Sequence, residues 1–318
     1  MKNLNEDEVD VIIIQKQTAL ERYTKRHLNI DFLDYLSQDI QSKEQLNSAH
    51  HAHVESRKIL LECLRHLKMK SILLNLDELK ESKLHFFQEN KINSGFAPKQ
   101  NIVISLGGDG TLLHASHYVG GKIQLLGVNS CPENSVGHLC AANSKNVHEI
   151  LEQILVEKNS RAKSLKRLRI KVSNHKNIPL ALNDILISHL HPAATSRYQI
   201  SILNKEAQVT QCEKQLSSGL WIATAAGSTA AISAYGFPAE PLESHKILAA
   251  CREPYAAKGE PIQLNKLTLD GSKQSLAIFS RMRQGLVCLD GPDFSIQFGF
   301  GETIEVSSPD EASLLLVQ

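Results

Sequence analysis

Residues 101–114, Asn-Ile-Val-Ile-Ser-Leu-Gly-Gly-Asp-Gly-Thr-Leu-Leu-His, constrain this chain more than any other stretch. Ile102, Val103, Ile104 and Leu106 form a short apolar run, largely β-branched, which predicts a buried strand of a parallel sheet. Gly107, Gly108 and Gly110 follow at once, and Thr111 opens a helical pattern through Leu112, Leu113 and Ala115. A strand, a glycine turn and a helix start aim backbone N–H groups and the positive end of a helix at one point, where a phosphate can sit. Glycine removes the Cβ that would hold an anion away from that backbone. The spacing is neither that of G-x-G-x-x-G nor that of Walker A, so neither motif is expected.

Asp109 is the unusual member, because a carboxylate in an anion-binding loop repels the anion. Next to phosphates it makes sense as an acceptor for the proton of an attacking hydroxyl, or as a group that helps hold Mg²⁺. Asp-Gly is also ordinary turn chemistry, and from these residues alone both readings stand.

A chain of 318 residues is long enough for two domains, and 42% hydrophobic with 22% charged residues is a globular composition. A formal net charge of +1 gives no general attraction to nucleic acid or acidic membranes. No apolar stretch approaches 18 residues, so no transmembrane helix is expected. The acidic first ten residues lack a signal or transit pattern, which sets the expectation of a cytoplasmic protein. The six cysteines include no C-x-x-C pair, so reduced thiols and no structural metal are expected. His50, His51 and His53 lead into a helical pattern and read as a solvated helix start rather than a metal site.

Up to about residue 160, strands and helices alternate. Strands are expected at 9–14, 71–76, 102–106 and 123–129, and helices at 52–67, after Thr111 and at 147–156. Residues 18–39 read as a loop with a short helix, and 77–100 as a polar connector. This order predicts an α/β domain with an open parallel sheet over 1–162, binding ligands at the carboxyl ends of its strands. From 163 to 306 the pattern becomes short alternating strands (168–172, 180–188, 198–202, 220–224, 262–269, 276–279, 286–289, 294–298 and 303–306) separated by turns such as Asp270-Gly271 and Asp290-Gly291. A β-rich, sandwich-like second domain follows from that, with the tail 307–318 returning to the first.

Two stretches of the second domain carry chemistry-bearing residues. Asn183 and Asp184 sit inside an apolar run, where buried polar groups must find partners. They serve either a structural network or a ligand: an amide suits the edge of a base, a carboxylate a ribose diol. The run Ala223-Thr224-Ala225-Ala226-Gly227-Ser228-Thr229-Ala230-Ala231 admits either a large flat ligand or close helix–strand packing. Arg197 is either a pyrophosphate contact or a strand-end surface charge.

With these stretches in place the chain resembles the NAD kinase family. The matching residues are Gly107-Gly108-Asp109-Gly110-Thr111, Asn183-Asp184 and Gly227-Ser228-Thr229-Ala230, in the family's order, with Gly127-Val128-Asn129 and Gly137-His138-Leu139 as a fourth element. The resemblance implies transfer of the γ-phosphate of ATP to the 2′-hydroxyl of the adenosine ribose of NAD⁺ or NADH. It implies that Asp109 is the general base or positions that hydroxyl, and that Gly107, Gly108, Gly110 and Thr111 line the phosphates. Asn183 and Asp184 would hold the adenosine part of the dinucleotide, with Thr224, Ala226, Gly227, Ser228, Thr229 and Ala230 in the same pocket and Arg197 as a further contact. Mg²⁺ is expected to arrive with ATP, with no dedicated metal site, and a homodimer or larger assembly is implied.

The chain departs from the common pattern in having Asp184 for Glu, Ala231 for Tyr, and Ser218-Gly219 for Asp-Gly. These departures, with Pro192-Ala193-Ala194 and Ser196-Arg197, resemble the plant NADH kinases and mitochondrial NAD kinases. A lost carboxylate at 218 disfavours a cationic nicotinamide ring relative to a neutral one, so good acceptance of NADH is expected. Two alternatives share some of these features. A diacylglycerol- or sphingosine-type lipid kinase predicts a lipid tunnel and a membrane-facing patch, neither of which is visible in the sequence. A non-catalytic dinucleotide sensor would leave Asp109 without a purpose.

Overall fold

Residues 9–26, 40–76, 79, 98–133, 137–173, 175–256 and 261–318 are described in a computed structural model of the chain. Most of the expected 77–100 connector, and residues 27–39, lie outside the described residues. The chain divides into two compact units, Met1–Lys163 with Leu315–Gln318, and Ser164–Leu314.

The first unit is an α/β unit. Its sheet runs in the order β2 (Ser71–Asn75), β1 (Val11–Gln15), β3 (Ile102–Gly107), β4 (Gln124–Asn129), β18 (Leu314–Val317) and β6 (Ala162–Leu165), with the short β5 (Ala142–Asn143) paired to β4. Pairing of β1 with β2 and β3, of β3 with β4, and of β4 with β18 is parallel. Every residue of β1 and β3 is buried, as a strand covered on both faces requires, and this is why both read as mainly apolar runs, interrupted only by Ser105 and closed by Gln15. α1 (Ala19–Arg26) follows β1, and α2 spans Ile40–His66. Leu60, Cys63 and Leu64 of α2 pack with Val11, Ile13, Ile102 and Ile104 in one apolar cluster, which also takes Leu151 and Ile154 of α4 (Val147–Leu155). α2 ends where Lys68 turns left-handed (φ 56°) and Met69 N–H reaches back to Leu64 C=O at 2.8 Å.

Connections leave β1 toward β2 on one side, whereas those leaving β3 go toward β4 on the other. The carboxyl ends of β1 and β3 therefore flank the switch point of the sheet, where an open parallel sheet has its ligand crevice. α3 (Asp109–Ser116) begins there, two residues past the end of β3.

The second unit consists of two antiparallel sheets. One has the order β10 (Val209–Ser217), β9 (Ser196–Leu203), β14 (Ser275–Ser280), β17 (Thr303–Ser307), β7 (Arg169–Val172). The other runs β13 (Lys266–Asp270), β12 (Lys246–Arg252), β11 (Gly219–Ala223), β8 (Asp184–His189), β15 (Gly285–Leu289), β16 (Phe294–Phe298). Tyr198, Ile200, Ile278 and Ile304 of the first sheet share one buried cluster with Ile185, Ile187, Ile222, Ile247 and Val287 of the second, which is sandwich packing. Strands β5, β6, β10 and β12 are not among those expected from the sequence. β10 is an edge strand whose first four residues are all exposed, so it shows no alternation, and β12 carries two alanines, which favour strands weakly. Residues 307–314 stay with the second unit, and Leu315–Gln318 join the first.

Candidate active site

The glycine loop is built by close approaches. A Cβ on Gly107 would overlap Thr111 Oγ1, and one on Gly127 would lie 2.6 Å from Leu112 Cδ1, so α3 can sit tight against the strand ends only because both are glycine. Gly108 caps α3 in an extended conformation (φ −106°, ψ −168°) with no side chain on the helix end. The N–H groups of Asp109 and Gly110 thus open the helix without intrahelical acceptors, as first-turn donors do.

Asp109 is half-buried and held by the segment after β4. Its Oδ2 accepts the His138 N–H at 2.9 Å, and its Oδ1 the Leu139 N–H at 2.9 Å. Gly137 makes that approach with φ 65°, its Cα packed against the Asn129 side chain. Each carboxylate oxygen offers two lone pairs; Oδ2 keeps one for an incoming hydroxyl, whereas Oδ1 also faces the Cys140 thiol, and the two N–H bonds fix the orientation. Cys140 Sγ lies 3.9 Å from Oδ1. Burial, and then the Asp109 charge, push that thiol up to about 12, so it stays protonated beside the carboxylate.

The histidine cluster is not a helix start. α2 begins at Ile40, which places His50, His51 and His53 in mid-helix. His50 Nδ1 pairs with Thr18 Oγ1 at 2.9 Å, while His53 is 1% exposed with Nδ1 2.9 Å from Ser130 Oγ. Ser130 N–H in turn donates to Gly107 C=O at 3.0 Å, and Ser56 Oγ donates to Ser130 C=O at 3.1 Å. α2 therefore braces the backbone beside the glycine loop. Burial, with the Lys16 charge next in size, lowers His53 to about 4, so its ring is neutral at pH 7. Among the described residues no three His, Cys, Asp or Glu side chains group as a metal site.

In the second unit, Asn183, Asp184 and the small-residue run meet because β8 and β11 pair with Asp184 opposite Ala223. Thr224 N–H donates to Asn183 C=O at 2.9 Å, Thr224 Oγ1 donates to Leu182 C=O at 2.5 Å, and Gly227 N–H donates to Thr224 Oγ1 at 3.2 Å. Gly227 must be glycine, since a Cβ would overlap the Asn183 carbonyl oxygen. Ala226–Thr229 forms a 3₁₀ turn in which Ser228 is buried and accepts Glu240 N–H at 2.9 Å, whereas Thr229 is exposed and Ala230 half-buried. Asn183 Oδ1 is buried with no hydrogen-bond partner among the described residues. An acceptor left so costs about 1–3 kcal/mol, which a ligand donor would recover.

Asp290, visible in the sequence only as part of a turn, organises this corner. Its carboxylate accepts the N–H groups of Leu182 (2.8 Å), Asn183 (2.7 Å) and Asp184 (3.1 Å). Burial, and then the charge of Asp290, raise the Asp184 carboxyl to about 7. A carboxyl raised in the folded state binds its proton more tightly than in the unfolded chain, so stability falls as pH rises from about 4 through 7. The slope is on the order of 1.4 kcal/mol per pH unit at most. Asp184→Asn is therefore expected to raise the Tm much more at pH 8 than at pH 5, where only the first part of that loss has accrued. Equal shifts at both pH values in calorimetric scans would contradict this.

Arg197 lies at the opposite end of β8 from Asn183. There it lines a cleft of about 300 Å³ with Pro192, Ser218, Glu253 and Tyr255. Ser218 Oγ donates to a Glu253 carboxylate oxygen, so the carboxylate missing at position 218 is supplied from the end of β12.

Comparison with known proteins bears on the family and the fold. A family model described as the ATP-NAD kinase N-terminal domain matches residues 11–159. A probable NADH kinase of Oryza sativa subsp. japonica is 36% identical over 225 residues, covering 65% of this chain and 68% of that protein. The NADH kinase of Arabidopsis thaliana is 37% identical over 224 residues, with 65% and 70% covered. In fold, the chain is similar to an NAD kinase from Archaeoglobus fulgidus solved in complex with ATP (TM-score 0.62, 17% identity, 97% of this chain and 93% of that one). A glycine loop that fixes one carboxylate, a parallel sheet followed by a β-sandwich, and relatives at this level of identity place the chain in the NAD kinase family, in the subgroup that includes the plant NADH kinases.

Proposed function

We propose that the chain transfers the γ-phosphate of ATP to the 2′-hydroxyl of the adenosine ribose of NAD⁺ or NADH, producing ADP and NADP(H). The observation that carries this is Asp109, whose two oxygens are fixed by His138 and Leu139 N–H groups beside the open first turn of α3. The ribose oxygen forms its bond to the γ-phosphorus as the bond to the β-phosphate oxygen breaks. The electron pair leaves with ADP, and the hydroxyl proton passes to Asp109. Positioning and charge neutralisation supply most of the acceleration in such a transfer. Mg²⁺ arriving on ATP would neutralise phosphate charge, with Asp109 as the loop carboxylate nearest to hand.

Asn183 would read the donor edge of the adenine and Asp184 the ribose hydroxyls, as the unpartnered Asn183 Oδ1 suggests. The proposal includes a homodimer or larger assembly, to be measured by light scattering, and a cytoplasmic location, with which the six free cysteines agree. NADH is proposed as a good acceptor because of Ser218, although Glu253 returns a carboxylate to that cleft. Kinetics of the four pairs formed by ATP or polyphosphate with NAD⁺ or NADH test the reading. The expected result is ATP-dependent turnover of both acceptors, with NADH at least as good. NAD⁺ turned over clearly better than NADH would remove the claim for NADH, and turnover of neither acceptor would remove the kinase reading.

A further inference from the structure

The carboxyl edge of the first unit's sheet carries a lysine that the site described above does not use. Gln15, the last residue of β1, pairs with Leu106 of β3, so Lys16 leaves the sheet alongside Gly107. That is the switch-point crevice, where ligands of open parallel sheets bind. Lys16 is half-buried, and among the described residues it makes no hydrogen bond and no ion pair. Its charge still reaches two groups on different elements. One is the His53 ring on α2; the other is the Cys140 thiol, which it pulls down against the larger upward pushes of burial and of Asp109. That thiol lies 3.9 Å from Asp109 Oδ1, so the Lys16 charge is felt at a group in contact with the loop carboxylate.

No carboxylate among the described residues forms an ion pair with Lys16. Glu21 is engaged by the Thr18 N–H at 2.8 Å and by the Thr18 hydroxyl at 3.2 Å. His53 is neutral, and Arg57 brings only further positive charge. An ammonium held in no ion pair is open to an anionic ligand. The glycine loop itself offers N–H groups and a carboxylate, but no cation.

We propose that Lys16 is the cation that binds the terminal phosphates of the nucleotide donor, offsetting Asp109 and the charge that spreads over the phosphoryl oxygens during transfer. This rests on the kinase reading above. The test uses the full chain with Lys16→Met and Lys16→Arg. Kinetics are measured with ATP and NADH varied in turn, and inorganic tripolyphosphate serves as a competitor and as a calorimetric ligand. A lost charge-assisted hydrogen bond corresponds to about 10- to 100-fold. Lys16→Met is expected to raise the KM for ATP and weaken tripolyphosphate by that factor while leaving the KM for NADH unchanged. Lys16→Arg is expected to recover most of the loss. Unchanged ATP and tripolyphosphate constants in Lys16→Met would overturn the assignment. Should the unaltered chain show no turnover, the kinase reading fails, and calorimetry with tripolyphosphate still decides Lys16: weaker binding in Lys16→Met upholds it, equal binding overturns it.

Discussion

Asp109→Asn is expected to lower turnover by roughly 10²–10⁴-fold, the usual cost of removing a general base. Dinucleotide affinity is expected to stay close to that of the unaltered chain. The amide keeps the size of the side chain but not its charge or its acceptors. One of its two polar atoms becomes a donor and must face either His138 N–H or Leu139 N–H, both of which the carboxylate now satisfies. One hydrogen bond is lost at a half-exposed position, so stability should change by only about 1 kcal/mol. Steady-state kinetics with a thermal scan on the same preparation separate the two effects. Activity within a few-fold of the unaltered chain would take Asp109 out of the proton-accepting role.

Asp290→Ala is expected to destabilise the second unit by about 3–5 kcal/mol. Three backbone N–H groups, those of Leu182, Asn183 and Asp184, lose their acceptor together. The buried Arg167 guanidinium, lowered to about 10 by burial and held up in part by Asp290, loses that neighbouring charge. Relief of Asp184 from its repulsion returns part of the loss. Asp290 also adopts φ 49°, which aspartate tolerates better than alanine does. Asp290→Asn keeps an acceptor and the turn, so its cost should be smaller. Trp221, the one tryptophan of the chain, lies on β11 beside β8, and its fluorescence in a urea titration reports on this unit. A loss under about 1 kcal/mol for Asp290→Ala would show that the corner around Asn183 does not depend on it.

Both sites illustrate what the amino-acid order reveals. The strand, glycines and helix start at 102–116 are written in consecutive residues, so local chemistry alone was enough to read them. The same holds for the β-branched run of β1, the Leu-rich run of β4 and the apolar stripe of α4. Asp290 was legible only as a turn, because its partners lie more than a hundred residues earlier and an Asp-Gly pair reads alike whether or not its carboxylate is occupied. His53 carried the same ambiguity. A histidine between polar residues reads as solvated until the fold brings Ser130 to it across 77 positions. The carboxylate absent at Ser218 returns at Glu253 through strand pairing, which no local pattern announces.

The most direct test mixes the purified chain with ATP, Mg²⁺ and NADH and follows the products by phosphorus NMR. A new ribose 2′-phosphate signal growing in step with ADP is the expected result, absent from Asp109→Asn under the same conditions. A chain that binds NADH but forms neither product, or an Asp109→Asn variant that forms both at the original rate, would contradict the assignment of this reaction to the glycine loop.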